Sequence, residues 1–253
     1  MLDLSRVTCF AIDNTNRIEE TIKALHTCKS VANFGEVKLV TTPEYVTKYK
    51  DELSSDGILV EEQVRPLTNI DEYNYYILYH LHKHIDTEYV LLIQDHAFIL
   101  NPDAWMDQFY DYDYIGAPWP YRDRAFITPY GEHQRVGNGG FSFRSKKLLE
   151  VPTHTWIPFN VAETAPDFYK MFGSTNTNED GNITVHNKHL YEKCGCKIAP
   201  IEIAKYFSYE SPVPENRGII PFGFHNNLPP GVEVEGFNPR YIFQIHYYYV
   251  ICL

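Results

Sequence analysis

The sequence has no apolar run approaching the roughly 20 residues a transmembrane helix needs, so no membrane span is expected. Basic residues are in deficit, with 22 Lys and Arg against 33 Asp and Glu, a net charge of −11. A nucleic-acid binder needs a basic footprint to neutralise phosphates, and nucleic acid is therefore not an expected partner. A mononucleotide stays possible, because a bound divalent cation can offset its charge locally. Cysteine is sparse: Cys9, Cys28, Cys194, Cys196 and Cys252 are odd in number and form no framework. Cys194-Gly195-Cys196 lacks the second pair or His partners of a zinc site. Free thiols and a reducing, cytoplasmic compartment are expected. MLDLSRVTCFAIDNTN has no basic region followed by an apolar stretch and a cleavage site, so no secretory signal is expected. The apolar C-terminal YYYVICL reads as a strand end, a docking tail or the edge of a longer protein.

Aromatics are plentiful instead, with 20 Tyr and 15 Phe. One site cannot use so many rings, so most must be packing. The first half alternates apolar blocks and helical patterns. Val7–Ile12, Val37–Thr42, Gly57–Glu62 and Tyr89–Ile93 read as strands. Arg17–Cys28, Pro43–Lys50 and Asp71–His84 read as helices. This order predicts an α/β fold with a mostly parallel sheet covered on both faces, and a ligand beyond the carboxyl ends of its strands. The second half is richer in Pro, Gly and Asn. Lys147–Val151 and Asp180–Lys193 are expected as helices and Lys197–Ile201 as a strand. No repeat or linker divides the chain, so residues 1–253 are expected as one domain, with a nucleotide-binding half to about residue 100 and a sugar or acceptor half after it.

Four groups of residues could carry chemistry. Gln94-Asp95-His96 follows an apolar strand directly, where side chains reach the crevice. Asp95 and His96 are reasonable Mn²⁺ or Mg²⁺ ligands, or a turn cap beside a surface His. Glu179-Asp180 opens a predicted helix. Acids are favoured there by the helix dipole, and a fixed carboxylate there can also serve as a general base. Successive helical positions diverge by roughly 100°, so the two are expected to face different ways. Gly137-Asn138-Gly139-Gly140 allows close backbone approach and is not a Walker loop; it is a ligand cradle or a tight turn before a strand. His225, in Phe222-Gly223-Phe224-His225-Asn226, is expected as an exposed loop residue able to supply a late metal ligand. His80 and His84 have a metal-pair spacing without the H-E-x-x-H acid, and read as surface or core residues.

Taken in order, these motifs resemble a family of GT-A-like domains of bacteria and large DNA viruses long catalogued as a domain of unknown function. The likeness runs from Val7 to about Asn226 and is strongest in EYVLLIQDHAFILNPDAW, DYDYIGAPWP, GNGGFSFR, Glu179-Asp180, IAPIEIAKYF and FGFH. It implies a GT-A glycosyltransferase with a divalent cation. It moves a sugar from a nucleotide-sugar, UDP-linked by expectation, to a glycan or other hydroxyl acceptor, with inversion, as a free protein or a module of a larger glycosyltransferase. By this resemblance Glu179 and Asp180 hold the base, with Asp180 the first choice over Glu179 and over Glu163 and Asp167. Asp95, His96 and His225 surround the metal. Asp13, Asn14, Tyr73, Asn74, Gln94, Asn138, Gly139 and Gly140 meet nucleotide or sugar. One departure matters: the family reads Gln, any residue, Asp, and this chain has His96 in place of the acid. Either Asp95 substitutes, or His96 binds metal itself, or metal binding is weakened. A nucleotidyltransferase would show a Gly-rich basic loop after the first strand, where this chain has Asp13-Asn14-Thr15-Asn16. A carbohydrate-binding module without metal chemistry is the other alternative.

Overall fold

The computed structural model describes residues 1–63, 67–121, 126–159, 177–235 and 237. The first half builds β1 (Leu2–Ile12), α1 (Ile18–Val31), β2 (Ala32–Thr41), α2 (Pro43–Ser55), β3 (Leu59–Glu62), α3 (Ile70–Tyr79), β4 (Tyr89–Ile93) and β5 (Ala97–Ile99). The second half adds β6 (Tyr114–Ile115), β7 (Ala117–Pro118), β8 (Val136–Gly137), β9 (Phe141–Ser145), α4 (Lys146–His154), α5 (Glu179–Gly181), α6 (Lys188–Lys193), α7 (Ile201–Phe207), β10 (Ser208–Tyr209) and β11 (Gly223–His225).

The fold is mixed α/β around a mostly parallel sheet of order β3-β2-β1-β4-β9-β6. Strands β1 to β4 are mutually parallel, and β9 runs antiparallel to β4 and β6. Side chains alternate across a strand, which splits the apolar residues into two cores. Val7, Cys9 and Ala11 of β1 and Leu91 and Ile93 of β4 join α1 and α2 on one face. Phe10, Val90 and Leu92 join α3 and α4 on the other. The chain lays β2 and β3 on one side of β1 and then returns to place β4 on the other. That reversal parts the loops after β1 and β4 and opens a crevice at their carboxyl ends. No helix of the described residues is long and apolar enough to cross a membrane.

Several boundaries differ from the sequence reading. Gly57, at φ +72°, closes α2, so β3 begins only at Leu59. The α3 helix stops at Tyr79, and a 3-10 turn covers Leu81–His84. There the His84 ring bonds Tyr76 and Glu61, with no metal pairing to His80. The Asp180–Lys193 helix is broken into α5, a π turn over Asn182–His186 and α6. Asn187 donates from its side chain to Pro158 O and Asn182 Oδ1, both at 2.8 Å, which competes with regular helix. Lys197–Ile201 is no strand: a single bridge joins Ile198 to Tyr114, and α7 begins at Ile201 after Pro200. Cys252 and YYYVICL lie outside the described residues, as do Glu163 and Asp167.

Candidate functional site

The β1 and β4 ends meet as their register requires. Phe10 pairs with Leu92, and extending that register beyond the strands brings Asp13 level with Asp95. A cavity of about 380 Å³ opens there, lined by Asp13, Asn14, Tyr73, Gln94, Asp95 and His96 among others. Six residues singled out from the sequence thus share one wall. Asp13 shapes the loop as well as lining the cavity: its carboxylate accepts from Thr15 N (2.7 Å) and Thr21 Oγ1 (2.5 Å). Asn14 Nδ2 donates to Leu67 O at 2.7 Å, and Gln94 Nε2 donates to the Tyr73 hydroxyl at 3.0 Å.

Behind this wall lies a buried polar layer. Antiparallel pairing of Ile93 with Phe141 sets the glycine loop beside the β4 end, where Gln94 N donates to Gly140 O at 3.0 Å. Asp180 Oδ2 accepts from Asn138 N (2.9 Å) and Gly139 N (3.0 Å), and its Oδ1 from Gly181 N (2.7 Å). Burial, then the neighbouring Glu179 and Glu210, push the Asp180 carboxyl up from 3.8 to about 7. Glu179 Oε1 accepts from Arg144 Nη2 at 2.7 Å, and Arg144 is wholly buried. The two acids do not diverge as expected. Both pack on Gly139, where an added Cβ would lie 1.9 Å from the Glu179 carboxylate. Close approach therefore requires glycine here, and at Gly140, where a Cβ would lie 2.1 Å from His225 Nε2. Asn138 reaches its place at φ +81°, a conformation Asn tolerates better than most residues. Asn74, expected beside the nucleotide, is fully buried and accepts from Glu179 N at 3.3 Å.

His225 is no exposed loop residue. It sits on β11, only 8% exposed, and pairs with Ala97 of β5 beside His96. Its Nε2 lies 2.9 Å from His96 Nε2 and 3.2 Å from Gln94 Oε1. Each imidazole is braced at Nδ1 by a carboxylate, His225 by Glu210 at 2.9 Å and His96 by Asp95. The carboxylate at His225 Nδ1 favours a proton there, while Gln94 Oε1, which can only accept, favours one on His225 Nε2. The two Nε2 atoms face one another at hydrogen-bond distance, with one of them donating. Asp95 is not directed at that point, because its other oxygen accepts from Arg17 Nε. No group of three or more His, Cys, Asp or Glu among the described residues is arranged to hold a metal ion. The residues here that could serve as cation donors are the two imidazoles and the Gln94 amide oxygen.

Arg17, Arg144 and Glu210 were not singled out from the sequence, whereas Asn226 belongs to the segment read around His225. Arg144 ends the GNGGFSFR stretch and could have been read as the partner of a buried acid. Glu210 and Arg17 belong to no motif, and only the fold brings them in. Asn226 follows His225 at φ +62°, and its Nδ2 lies 3.1 Å from His225 Nδ1.

Fold and site together define an α/β domain with a polar crevice at the switch point of its sheet. Residues 58–225 match the family described as Protein of unknown function (DUF5672), and the chain belongs to that family. Among curated proteins no sequence match is found. Solved structures with a similar fold include a glycosyltransferase involved in the glycosylation of the major capsid of PBCV-1. It is 12% identical, with 90% of this chain and 94% of that one covered and a TM-score of 0.48. An active-site mutant of LgtC is 11% identical, with 86% of each chain covered and a TM-score of 0.49. The 4-diphosphocytidyl-2C-methyl-D-erythritol synthase of Anaerococcus prevotii is 12% identical, covering 74% of this chain and 93% of that one at a TM-score of 0.38.

Proposed function

We propose that this chain is a GT-A-type glycosyltransferase that binds a nucleotide-sugar, UDP-linked, in the cavity at the β1–β4 switch point. Its sugar passes to a hydroxyl acceptor with inversion. The observation that carries this reading is the convergence of three parts: a cavity lined by Asp13, Asn14 and Tyr73, the facing His96 and His225, and Asp180 against the glycine loop.

Asp13, Asn14 and Tyr73 would meet the base and ribose, and Gln94, Asp95 and His96 would lie beside the diphosphate. His96 and His225, with the Gln94 amide oxygen, would hold a divalent cation, Mn²⁺ before Mg²⁺ because two of the donors are nitrogen. When bound, that ion supplies Lewis-acid stabilisation of the departing diphosphate. Asp95 and Glu210 orient the imidazoles. Asn138, Gly139 and Gly140 would face the sugar, held in place by Asp180. Asp180 would accept the acceptor's proton, because a carboxyl raised toward neutrality is a better base than an ordinary one. Glu179 is the weaker choice, since its charge is spent on Arg144.

The test is release of nucleoside diphosphate from UDP-, GDP- and dTDP-sugars, with Mn²⁺ and with chelator. Slow hydrolysis of one donor class that needs Mn²⁺ is expected. Synthesis of a nucleotide-sugar from a nucleoside triphosphate and a sugar phosphate would make it a nucleotidyltransferase. Binding of free glycans without any nucleotide would make it a carbohydrate-binding module.

A further inference from the structure

Arg17 has no part in the mechanism above. It stands between the β1 loop and α1, and its Nε donates to Asp95 Oδ2. It lines the donor cavity and also a second cavity of about 370 Å³, walled by Glu20, Lys23, Thr27, Phe98 and Phe237. The Arg17–Asp95 pair therefore stands on the partition between the two. Among the described residues that line the donor cavity, Arg17 is the only lysine or arginine, while Asp13 and Asp95 contribute acids. A diphosphate entering there meets two carboxylates and one guanidinium. The two charges of the pair differ in freedom: the Arg17 side chain is 39% exposed and that of Asp95 11%. Asp95 has a second anchor in His96 Nδ1, so it keeps a partner when Arg17 leaves.

We propose that Arg17 is the diphosphate-binding cation of the donor cavity, and that Asp95 is its resting partner rather than a metal ligand. The proposal rests on the nucleotide-sugar reading. A partly exposed ion pair is weak, so exchanging it costs little. A guanidinium matches phosphate oxygens with two parallel N–H donors, which the single Nε contact to Asp95 does not use. On entry of the diphosphate, Arg17 turns from Asp95 to the phosphate oxygens, and Asp95 remains on His96. No covalent bond changes.

The experiment is calorimetry of UDP and of uridine on wild type, Arg17→Met and Asp95→Asn, with Mn²⁺ and with chelator. Methionine keeps an apolar stem and removes the charge, and a thermal melt confirms that each variant is folded. Arg17→Met is expected to weaken UDP at least about tenfold, with uridine unchanged. Asp95→Asn releases Arg17 from its resting partner, so in chelator, where no metal contributes, it is expected to bind UDP more tightly than wild type. Wild-type affinity for UDP in Arg17→Met overturns the role of Arg17. UDP binding in chelator that is weaker in Asp95→Asn than in wild type overturns the role of Asp95 as the resting partner of Arg17. If wild type binds neither UDP nor uridine, the nucleotide reading itself fails and takes the proposal with it.

Discussion

Asp180 combines two demands in one side chain. Its oxygens hold three backbone N–H groups and so fix the glycine loop, while burial beside Glu179 raises its carboxyl toward neutral pH. Asp180→Asn keeps the shape and removes the basicity; its one amide oxygen can still accept from Asn138 N and Gly139 N, with the contact from Gly181 N lost. Sugar transfer should fall about 100- to 10,000-fold with donor affinity retained. The rising limb of the wild-type rate near pH 7 should vanish in the variant, because the base must be ionised to act. Transfer at near wild-type rate by Asp180→Asn, with Glu179→Gln inactive, would move the role to Glu179. The same shift fixes a stability sign. A carboxyl whose folded value is raised stabilises the fold fully below its ordinary value of 3.8, and loses that contribution as pH rises through about 7. The melting temperature of Asp180→Asn relative to wild type should therefore rise over that window. His225→Ala strands the Glu210 carboxylate, which is almost as buried as the ring it braces. A loss of about 1–3 kcal/mol by denaturant titration is expected, with metal-dependent nucleotide binding weakened as well. A variant as stable as wild type would show that Glu210 does not depend on the ring.

At the scale of elements, the front half was legible because its strands are short apolar blocks bounded by Asp13-Asn14, Pro43 and Gly57. Blocks such as β4 are buried along nearly their whole length, as in a sheet covered on both sides, while the edge strand β3 stays partly exposed. The β4 strand falls where its sequence places it, at Tyr89–Ile93, and that fixes Gln94, Asp95 and His96 at the crevice. The back half was less legible because long-range contacts decide it. Nothing local in Asn182-Ile183-Thr184-Val185-His186 announces a π turn. It follows from Asn187 bonding Pro158 and Asn182, a contact 29 residues away in the chain for the first of these. Asn187→Ala removes both bonds; Pro158 O keeps Asn182 Nδ2 at 3.1 Å, and the buried Asn182 Oδ1 loses its donor from Asn187. It should cost about 1–3 kcal/mol in a thermal or denaturant melt. It should also loosen α5, and with it the donor-independent placement of Asp180. Unchanged stability would mean the π turn is held by packing alone. The pairing of His96 with His225 was only partly legible. Both were candidates, but their carboxylate braces come from Glu210 on a distant segment and from Asp95, which sequence order alone had suggested as a ligand.

For the whole molecule, the acidic balance of −11 gives an anionic donor little positive charge to meet, so on the proposed reading a divalent cation would offset its diphosphate locally. The sheet reversal between β1 and β4 sets Asp13, Asn14 and Tyr73 in one cavity with Gln94, Asp95 and His96. The measurement that tests this most directly is a crystal structure with Mn²⁺ and the nucleotide-sugar that the hydrolysis panel selects. The account predicts the nucleoside against Asp13, Asn14 and Tyr73, the diphosphate beside His96, and Mn²⁺ within bonding reach of the Nε2 atoms of His96 and His225. A nucleotide bound away from the β1–β4 crevice, or a crevice in which the two imidazoles stay hydrogen-bonded to each other with donor and Mn²⁺ present, would contradict it.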